Sequence, residues 1–509
     1  MPRMRALAAA VAGTLAVTTL TAAPNPAMAV DDIDSSKLRE GVTVGGIMEH
    51  ARVFQRIAND NDGTRASGTP GYEASARYVK RTLRKAGYKV SQQRFTFPFF
   101  QELAPATVTQ TSPTPTEYET ETFDYSGSGD VTGTVVPIDV TIPPPAEPGS
   151  TSGCEPADFP EAPEGPAIAL LQRGSCDFGV KAANAQAAGY DAAVIFNEGQ
   201  EGRTELLVGT LGEPVEIPVV GLSYADGEAL YEQSQSGDVE LHVTTQTEVD
   251  LDATTTNVFA ESRKGDPENT VVVGAHLDSV TDGAGINDNA SGSATLVEVA
   301  EQMAELKQKP RQKVRFAFWG AEEFSLLGSE HYVDSLTNRQ LRNISANLNF
   351  DMVGSPNYVR FAYDGDGSDG GPSGPPGSAQ IEDVFTDYFT GQGLESDGKE
   401  FNGRSDYGPF IAVGIPAGGV SSGSDGVKTP EQAEIYGGTA GEIYDPCYHQ
   451  TCDDITNVST RALSELGDAA AHGIWTLART KSGFFEDGSM RRGTYRAPVP
   501  EYDGPHLRR

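Results

Sequence analysis

Three predicted strands each end in side chains that can bind a metal ion or carry a proton. The first strand ends at His276, the second is followed by Glu322 and Glu323, and the third ends at Asp351. Because the carboxyl ends of parallel strands meet at one edge of a sheet, we expect these side chains to lie close together. Imidazole nitrogens and carboxylate oxygens are common ligands of Zn²⁺. The spacing therefore predicts a metal site at this edge.

Two further residues complete the predicted site. Asp288 follows in the segment GINDN, and His449 lies in DPCYHQTC. Two histidines and three carboxylates are one ligand more than a single tetrahedral zinc takes. If one carboxylate is shared, each of two metals receives a histidine, an acid and the bridge. Two ions held about 3.5–4 Å apart in this way clamp an activated water.

Each residue also has an ordinary structural explanation. His276 could be a core histidine paired with an acid, Asp288 an acid at a helix N-terminus, and His449 a residue that fills a loop. Glu322 and Glu323 could be a solvated pair. All of these explanations would have to be true at the same time for residues at one sheet edge, so the metal site is the better prediction.

Several stretches resemble the secreted bacterial two-zinc leucyl aminopeptidases and cover most of 246–460. They read AHLDSV, GAGINDNASGSA, FAFWGAEEFSLLGSEHYV, NLNFDMVGSPN and YHQTCDD. The resemblance implies two Zn²⁺ per chain, with Asp288 bridging them, and these ligands: His276, Asp288, Glu323, Asp351 and His449.

The resemblance also implies roles around the metals. Glu322 matches the general base, Tyr448 matches a residue that stabilises the developing oxyanion, and Asp278 matches the carboxylate that orients His276. It further implies a cis peptide bond between Asp288 and Asn289. Calcium binds to some members, but no complete acidic loop in this sequence supports a Ca²⁺ site.

Two residues are candidates for contact with the substrate. Arg404 resembles the family's arginine near the substrate, and its alternative is a surface ion pair with Asp406. Met352 is predicted to line the pocket for the first side chain, although methionine often fills cores. After IPAGG the chain has VSSGSD where relatives carry an aromatic residue. A polar or acidic pocket could favour basic N-terminal residues, with Asp425 as their partner.

The same fold could also serve other functions. A glutaminyl cyclase-like enzyme would use one zinc, and a carboxypeptidase-like enzyme would act from the other end of the substrate. A third class is a binding protein with a degenerate site. The intact ligands together with Glu322 favour an enzyme, because a binding protein has no need of a base.

The rhythm of strand, helix, strand and helix after residue 246 predicts an α/β fold, with a mostly parallel or mixed sheet sandwiched by helices. Helices are predicted between 46 and 86, a strand over Val90–Phe99, and a helix with Ser291 as possible N-cap. The segment Arg173–Asn197 resembles a protease-associated (PA) domain, a smaller α/β unit. We predict five parts: a signal peptide 1–29, peptidase 30–127, an inserted PA domain 128–245, peptidase 246–483 and a polar tail 484–509.

Basic residues before the apolar run 6–23, then the small residues 27–29, are typical of a secretory signal. No later stretch has the length and apolarity of a membrane span. We therefore predict a secreted protein.

Cysteines should then pair, and proximity in sequence favours Cys154–Cys176 and Cys447–Cys452 among three connectivities. A zinc site made of all four cysteines lacks the C-x-x-C spacing of a zinc ribbon.

The net charge argues against nucleic acid. There are 38 basic and 72 acidic residues, and 38 − 72 gives −34, whereas phosphate binding needs clustered Lys and Arg. We expect a monomer that acts on peptides or proteins with a free N-terminus, with no nucleic-acid or membrane partner.

Overall fold

The structure is a computed structural model that describes residues 30–481. The predicted signal peptide 1–29 and the predicted tail 484–509 lie outside the described residues. Within 30–481, no helix is both long and apolar enough to cross a membrane.

Sixteen strands and twelve α-helices make up the described chain. The strands are β1 Lys89–Thr96, β2 Phe99–Ser112, β3 Thr116–Tyr118, β4 Glu121–Thr122, β5 Gly129–Pro137, β6 Ala167–Gln172, β7 Ala192–Phe196, β8 Val219–Leu222, β9 Glu240–Asp250, β10 Thr254–Glu261, β11 Asp266–His276, β12 Gln312–Trp319, β13 Ile344–Phe350, β14 Phe361–Tyr363, β15 Asp397–Lys399 and β16 Ala417–Ser421. The helices are α1 Ser36–Gly41, α2 Val44–Asn59, α3 Pro70–Lys85, α4 Phe178–Ala187, α5 Tyr224–Ser234, α6 Ser291–Glu305, α7 Leu327–Asp334, α8 Asn338–Asn343, α9 Ser378–Gly391, α10 Gly408–Ala412, α11 Pro430–Tyr436 and α12 Thr460–Arg479.

The first sheet has the order β1-β10-β12-β11-β13-β16-β14-β15. Its centre is parallel, because β11 pairs in parallel with β12 and β13, and β13 with β16. Strand β10 pairs antiparallel with both β1 and β12. Alternate side chains enter cores on opposite faces: Val271 and Val273 pack with residues of α2, α6 and α12, and Val272 packs with Trp319 and Phe410. Helices therefore cover both faces.

The second sheet has the order β3-β2-β9-β5-β6-β7-β8-β4. Strands β5 to β8 are parallel, and α4 and α5 contribute to two apolar cores around them. All of its strands lie between β1 and β10 in the chain, so this smaller α/β unit is inserted into the larger one. The fold class predicted from the sequence is confirmed. The limits 128 and 245 stay a prediction, and the strands of this sheet run from β2 to β9.

Most predicted elements form close to their expected bounds. The strand expected over Val90–Phe99 is divided into β1 and β2. Ser291 as N-cap is wrong, because Ala290 takes that position and α6 begins at Ser291. The Ser291 hydroxyl instead donates to the carbonyl of Asn287 and accepts from the backbone N–H of Val353. It therefore ties the start of the helix to neighbouring loops rather than capping it. Both predicted disulfides, Cys154–Cys176 and Cys447–Cys452, are present.

Candidate active site

The predicted ligands meet at the carboxyl edge of the first sheet. His276 is the last residue of β11, Asp351 directly follows β13, and Glu322 and Glu323 follow β12 by a short turn. Asp288 belongs to an irregular turn, Ile286–Ala290, that leads into α6. The peptide bond between Asp288 and Asn289 is cis, as the resemblance implied.

His276 faces several carboxylates with one ring nitrogen. Its Nε2 lies 3.0 Å from Asp288 Oδ1, 3.2 Å from Asp351 Oδ1 and 4.0 Å from Glu322 Oε2. Its Nδ1 points the other way and lies 3.6 Å from Asp278 Oδ1, which is too long for a hydrogen bond. Asp278 is nevertheless on the side predicted for the residue that orients this imidazole.

His449 makes the second half of the cluster. Its Nε2 lies 3.4 Å from Asp288 Oδ2 and 3.1 Å from Glu323 Oε2. Asp288 thus presents one carboxylate oxygen to each histidine. This is the arrangement expected of a bridging carboxylate, although the ligand roles stay a prediction.

The donor set fits zinc in spacing and in charge. Ligand atoms around a tetrahedral zinc lie about 3.4 Å apart, since Zn–N and Zn–O bonds measure about 2.1 Å. The nitrogen–oxygen distances of 3.0–3.4 Å around the two histidines are close to that value. Glu323 Oε1 and both Asp278 oxygens are buried without a hydrogen-bond partner among the described residues. Such an excess of buried acceptors is unfavourable without added positive charge.

The pKa shifts at the cluster reflect the same excess of buried carboxylates. Burial opposes the charged form of His449, but Glu323 and Asp288 outweigh it and raise its pKa to about 10. Burial strongly raises the pKa of Glu322, and Glu323 and Asp351 add to the effect while His276 opposes it. Burial also raises the pKa of Glu323. Divalent metal ions bound here would supply the positive charge that these buried carboxylates need.

Hydrogen bonds from neighbouring loops hold the ligands in place. Ser405 Oγ donates to Asp351 Oδ2 at 2.5 Å and accepts from Asn349 Nδ2 at 2.8 Å. The carboxylate of Asp453 accepts the backbone N–H groups of Asn287 and Asp288 at 2.8 and 2.9 Å. The turn that carries Asp288 is thus anchored by the loop that also carries His449.

Two buried residues near the cluster had not been predicted. The guanidinium of Arg65 is fully buried and donates to the carbonyls of Leu277, Ala284 and Gly285. Burial lowers its pKa to about 10, and Asp278 opposes that change. Its position in TRASGTPG, among turn residues before a helix, is the only sequence signal for it.

Asp406 is the second such residue. It is fully buried, and neither carboxylate oxygen has a partner among the described residues. Burial raises its pKa to about 8, and Asp351 and Asp278 add to the effect while His276 opposes it. The alternative pairing of Arg404 with Asp406 is therefore wrong. Arg404 instead donates to both oxygens of Asp425 at 3.3 and 3.0 Å.

Tyr448 stands next to the metal cluster. Its ring stacks on the imidazole of His449 with centroids 3.9 Å apart, and its hydroxyl accepts from Arg404 Nη2 at 3.4 Å. Burial strongly raises the pKa of Tyr448, so its hydroxyl stays protonated. Met352 lines the adjoining cavity of about 630 Å³, and its contact with the first side chain of a substrate stays a prediction.

Comparison with known proteins agrees with this geometry. An aminopeptidase from Pseudomonas aeruginosa is 48% identical over 458 residues, which cover 88% of this chain and 84% of that protein. The sequence profile of peptidase family M28 matches residues 257–474. The chain belongs to peptidase family M28. The matched range contains every predicted metal ligand, and the PA domain profile matches residues 131–230. The family and the PA domain expected from the sequence are thereby confirmed.

Other relatives of this M28 peptidase are similar over nearly the whole length. A probable lipoprotein aminopeptidase from Mycobacterium tuberculosis is 41% identical over 454 residues, covering 88% of this chain and 87% of that protein. Among solved structures, an aminopeptidase from Aneurinibacillus sp. strain AM-1 superimposes with a TM-score of 0.66 at 25% identity, covering 88% and 96% of the two chains. A zinc aminopeptidase from Bacillus subtilis shares the fold, with a TM-score of 0.60 at 24% identity over 88% and 99%.

Proposed function

We propose that this M28 peptidase removes single residues from the N-terminus of peptides by means of two zinc ions, with Glu322 as general base. Aminopeptidase activity follows from the family and from relatives named aminopeptidase, and the zinc aminopeptidase of the same fold from Bacillus subtilis supports zinc as the metal. The number of metals and the residue roles are the finer proposal. The observation that carries it is Asp288, whose two oxygens face His276 and His449 separately.

The proposed ligands divide into two sets around the bridge. His276 and Asp351 would hold one zinc with Asp288, and His449 and Glu323 would hold the other. Zinc ions bound there supply a Lewis acid that polarises the scissile carbonyl and lowers the pKa of a water.

Glu322 carries the proton in this proposal. Its carboxylate lies at the cavity wall beside His276, and its raised pKa suits a group that both accepts and returns a proton. It takes a proton from the attacking water and delivers it to the leaving amine. The adjacent Glu323 points to His449 instead, so the two neighbouring glutamates serve different tasks.

Tyr448 stabilises the negative charge that develops on the carbonyl oxygen. Its protonated hydroxyl faces the cavity, where it can donate a hydrogen bond to the oxyanion. Arg404 orients that hydroxyl, and Asp425 in turn fixes the guanidinium. Asp425 is therefore already neutralised, which weakens its predicted role as partner of a basic substrate residue.

The substrates are peptides with a free N-terminal amine. The carboxylates of the cluster line one part of the cavity, and the amine of a peptide N-terminus fits beside them. We further propose that the chain is exported and acts as a monomer. The predicted signal sequence and the two disulfides support export.

Hydrolysis of leucyl p-nitroanilide and its N-acetylated form tests the proposal on the purified mature protein after chelation and zinc titration. We expect cleavage of the free amine alone, with full activity at two zinc ions per chain. Maximal activity at one zinc, or turnover of N-terminal glutaminyl peptides only, would favour a cyclase. Cleavage of the acetylated compound would remove the argument for the free amine.

A further inference from the structure

The cavity beside the metal cluster contains a lysine that the proposed chemistry does not use. Lys399 is the last residue of β15 and lines the cavity together with Met352, Tyr363 and the proposed metal ligands. If the enzyme removes N-terminal residues, this cavity must also accept the side chain of the residue to be removed. The inference that follows rests on that proposed function.

Neighbouring groups fix the ammonium of Lys399 without neutralising it. Its Nζ donates to Ser421 Oγ at 3.0 Å and lies 5.8 Å from the centre of the Tyr363 ring. The Ser421 hydroxyl in turn contacts the carbonyl of Met352 at 3.4 Å. Since Met352 follows the proposed ligand Asp351, the ammonium is held close to the reacting centre.

No carboxylate forms an ion pair with Lys399 in the described part of the chain, although Asp351, Asp425 and Asp288 act on its charge from a greater distance. Asp425, which also lines the cavity, is bound by both terminal nitrogens of Arg404. Glu400 also borders the cavity, but it packs against Gly371 and forms no ion pair with Lys399. Burial lowers the pKa of Lys399, and a carboxylate bound beside it would offset that effect.

We propose that Lys399 binds the side-chain carboxylate of an N-terminal Glu or Asp, so that the enzyme prefers peptides with an acidic first residue. Ser421 and Tyr363 position the ammonium, and Met352 contacts the methylene groups of the bound side chain. This preference is the opposite of the one for basic residues that the sequence suggested through Asp425.

The test compares kcat/KM for Glu-, Gln- and Leu-p-nitroanilide, because Glu and Gln have the same shape and differ in charge. On the zinc-loaded wild type we expect Glu to exceed Gln by roughly tenfold or more, as for a hydrogen bond to a charged group. In K399Q and K399M the Glu/Gln ratio should fall to near one, while hydrolysis of the Leu compound is retained.

K313Q is the matched control. Lys313 lies at the opposite end of the sheet, in β12, where its Nζ donates to the carbonyl of Ser262. Its loss removes the same charge but should leave the Glu/Gln ratio unchanged. Peptide amides Glu-Leu and Leu-Glu locate the effect at the first or the second residue.

The outcomes are distinguishable. A wild-type Glu/Gln ratio near one, or a high ratio that K399Q and K399M leave unchanged, overturns the role of Lys399 while the aminopeptidase stands. An effect of these substitutions on Leu-Glu alone overturns it as well. If no free-amine substrate is cleaved at any zinc content, the proposed function fails, and this inference fails with it.

Discussion

Histidine side chains face pairs of carboxylates in two regions of this molecule. One region is the metal cluster, and the other, the His50 cluster, consists of His50 on α2 with Glu298 and Glu301 on α6. His50 Nε2 lies 3.5 Å from Glu298 Oε2 and 3.3 Å from Glu301 Oε2. These distances resemble those around His449, and the carboxylates raise the pKa of both histidines to about 10 against the effect of burial.

The two clusters differ in what else surrounds the histidine. At the His50 cluster Tyr78 hydrogen-bonds with Nδ1 at 2.6 Å, Gln302 donates to Glu298, and Glu301 is partly exposed. One proton on the imidazole leaves a single uncompensated carboxylate charge in this group, and the exposed part of Glu301 brings that charge into contact with solvent. At the metal cluster six acids surround two histidines, and several of their oxygens are buried without partners. The six acids are Asp278, Asp288, Glu322, Glu323, Asp351 and Asp406.

Contact between a histidine and carboxylates is therefore not enough to identify a metal site. What separates the two regions is an excess of buried acids that no proton on a histidine can balance. The metal cluster has that excess and the His50 cluster does not. We therefore assign the His50 cluster to stability and the metal cluster to chemistry, and four substitutions or conditions test the distinction.

The largest expected effect is that of E322Q. Loss of the general base should lower kcat about a hundredfold to ten-thousandfold, while the zinc content stays at two per chain. Kinetics on leucyl p-nitroanilide with elemental analysis of the same samples measures both. The matched variant E301Q at the His50 cluster should retain wild-type activity. An E322Q enzyme within a few-fold of wild type would contradict the assignment of the base.

D278N should act on the metals instead of the proton. A carboxylate behind a metal-binding histidine usually contributes about tenfold to a hundredfold in metal affinity or activity. We expect weaker zinc binding of that size in competition with a chelating dye. Y78F removes the corresponding neighbour of His50 and should leave zinc affinity unchanged. Equal zinc affinity in D278N and wild type would show that Asp278 does not support His276.

H50Q should reduce stability without changing the metals. The variant loses an ionic hydrogen-bond pair between α2 and α6, at a cost of about 2 kcal/mol in the free energy of unfolding. Denaturant unfolding measures this loss, and zinc content and kcat should match the wild type. Loss of a bound zinc in H50Q would mean that the His50 cluster also binds metal.

The smallest effect concerns pH. The folded pKa of His50, about 10, exceeds its ordinary value of 6.5. The stabilisation from its charged form is therefore fully present below about pH 6.5 and is lost as pH rises towards 10. The stability difference between wild type and H50Q should shrink over this range in unfolding measured at pH 6, 8 and 10. A difference that stays constant would indicate that His50 is neutral throughout.

That three of the proposed metal ligands lie together could be predicted, because each sits in a contiguous motif at the end of a strand. His276, Glu323 and Asp351 need only the rule that parallel strands share an edge. The inserted unit was also recognisable, because the spacing around Arg173–Asn197 is local. In both cases the informative residues lie within one short segment.

What escaped prediction depends on contacts between distant segments. The sequence offered only Asp406, two residues away, as an ion-pair partner of Arg404. Only the fold buries Asp406 and brings Asp425 alongside Arg404. Arg65 binds carbonyls more than two hundred residues away. Lys399 looks like an ordinary lysine at a strand end, since its lack of an acidic partner cannot be read from its neighbours in sequence.

The disulfide between Cys447 and Cys452 encloses both Tyr448 and His449 in a short ring. Opening such a ring returns about 2 kcal/mol of conformational freedom to the unbridged chain on a chain-entropy estimate. A proposed metal ligand and the proposed oxyanion donor would then lose their fixed positions together. If these two residues have the proposed roles, peptide hydrolysis is coupled to oxidation of the two thiols. A newly made chain that still carries reduced cysteines would be a weaker protease than the same chain after oxidation, which delays activity until after synthesis.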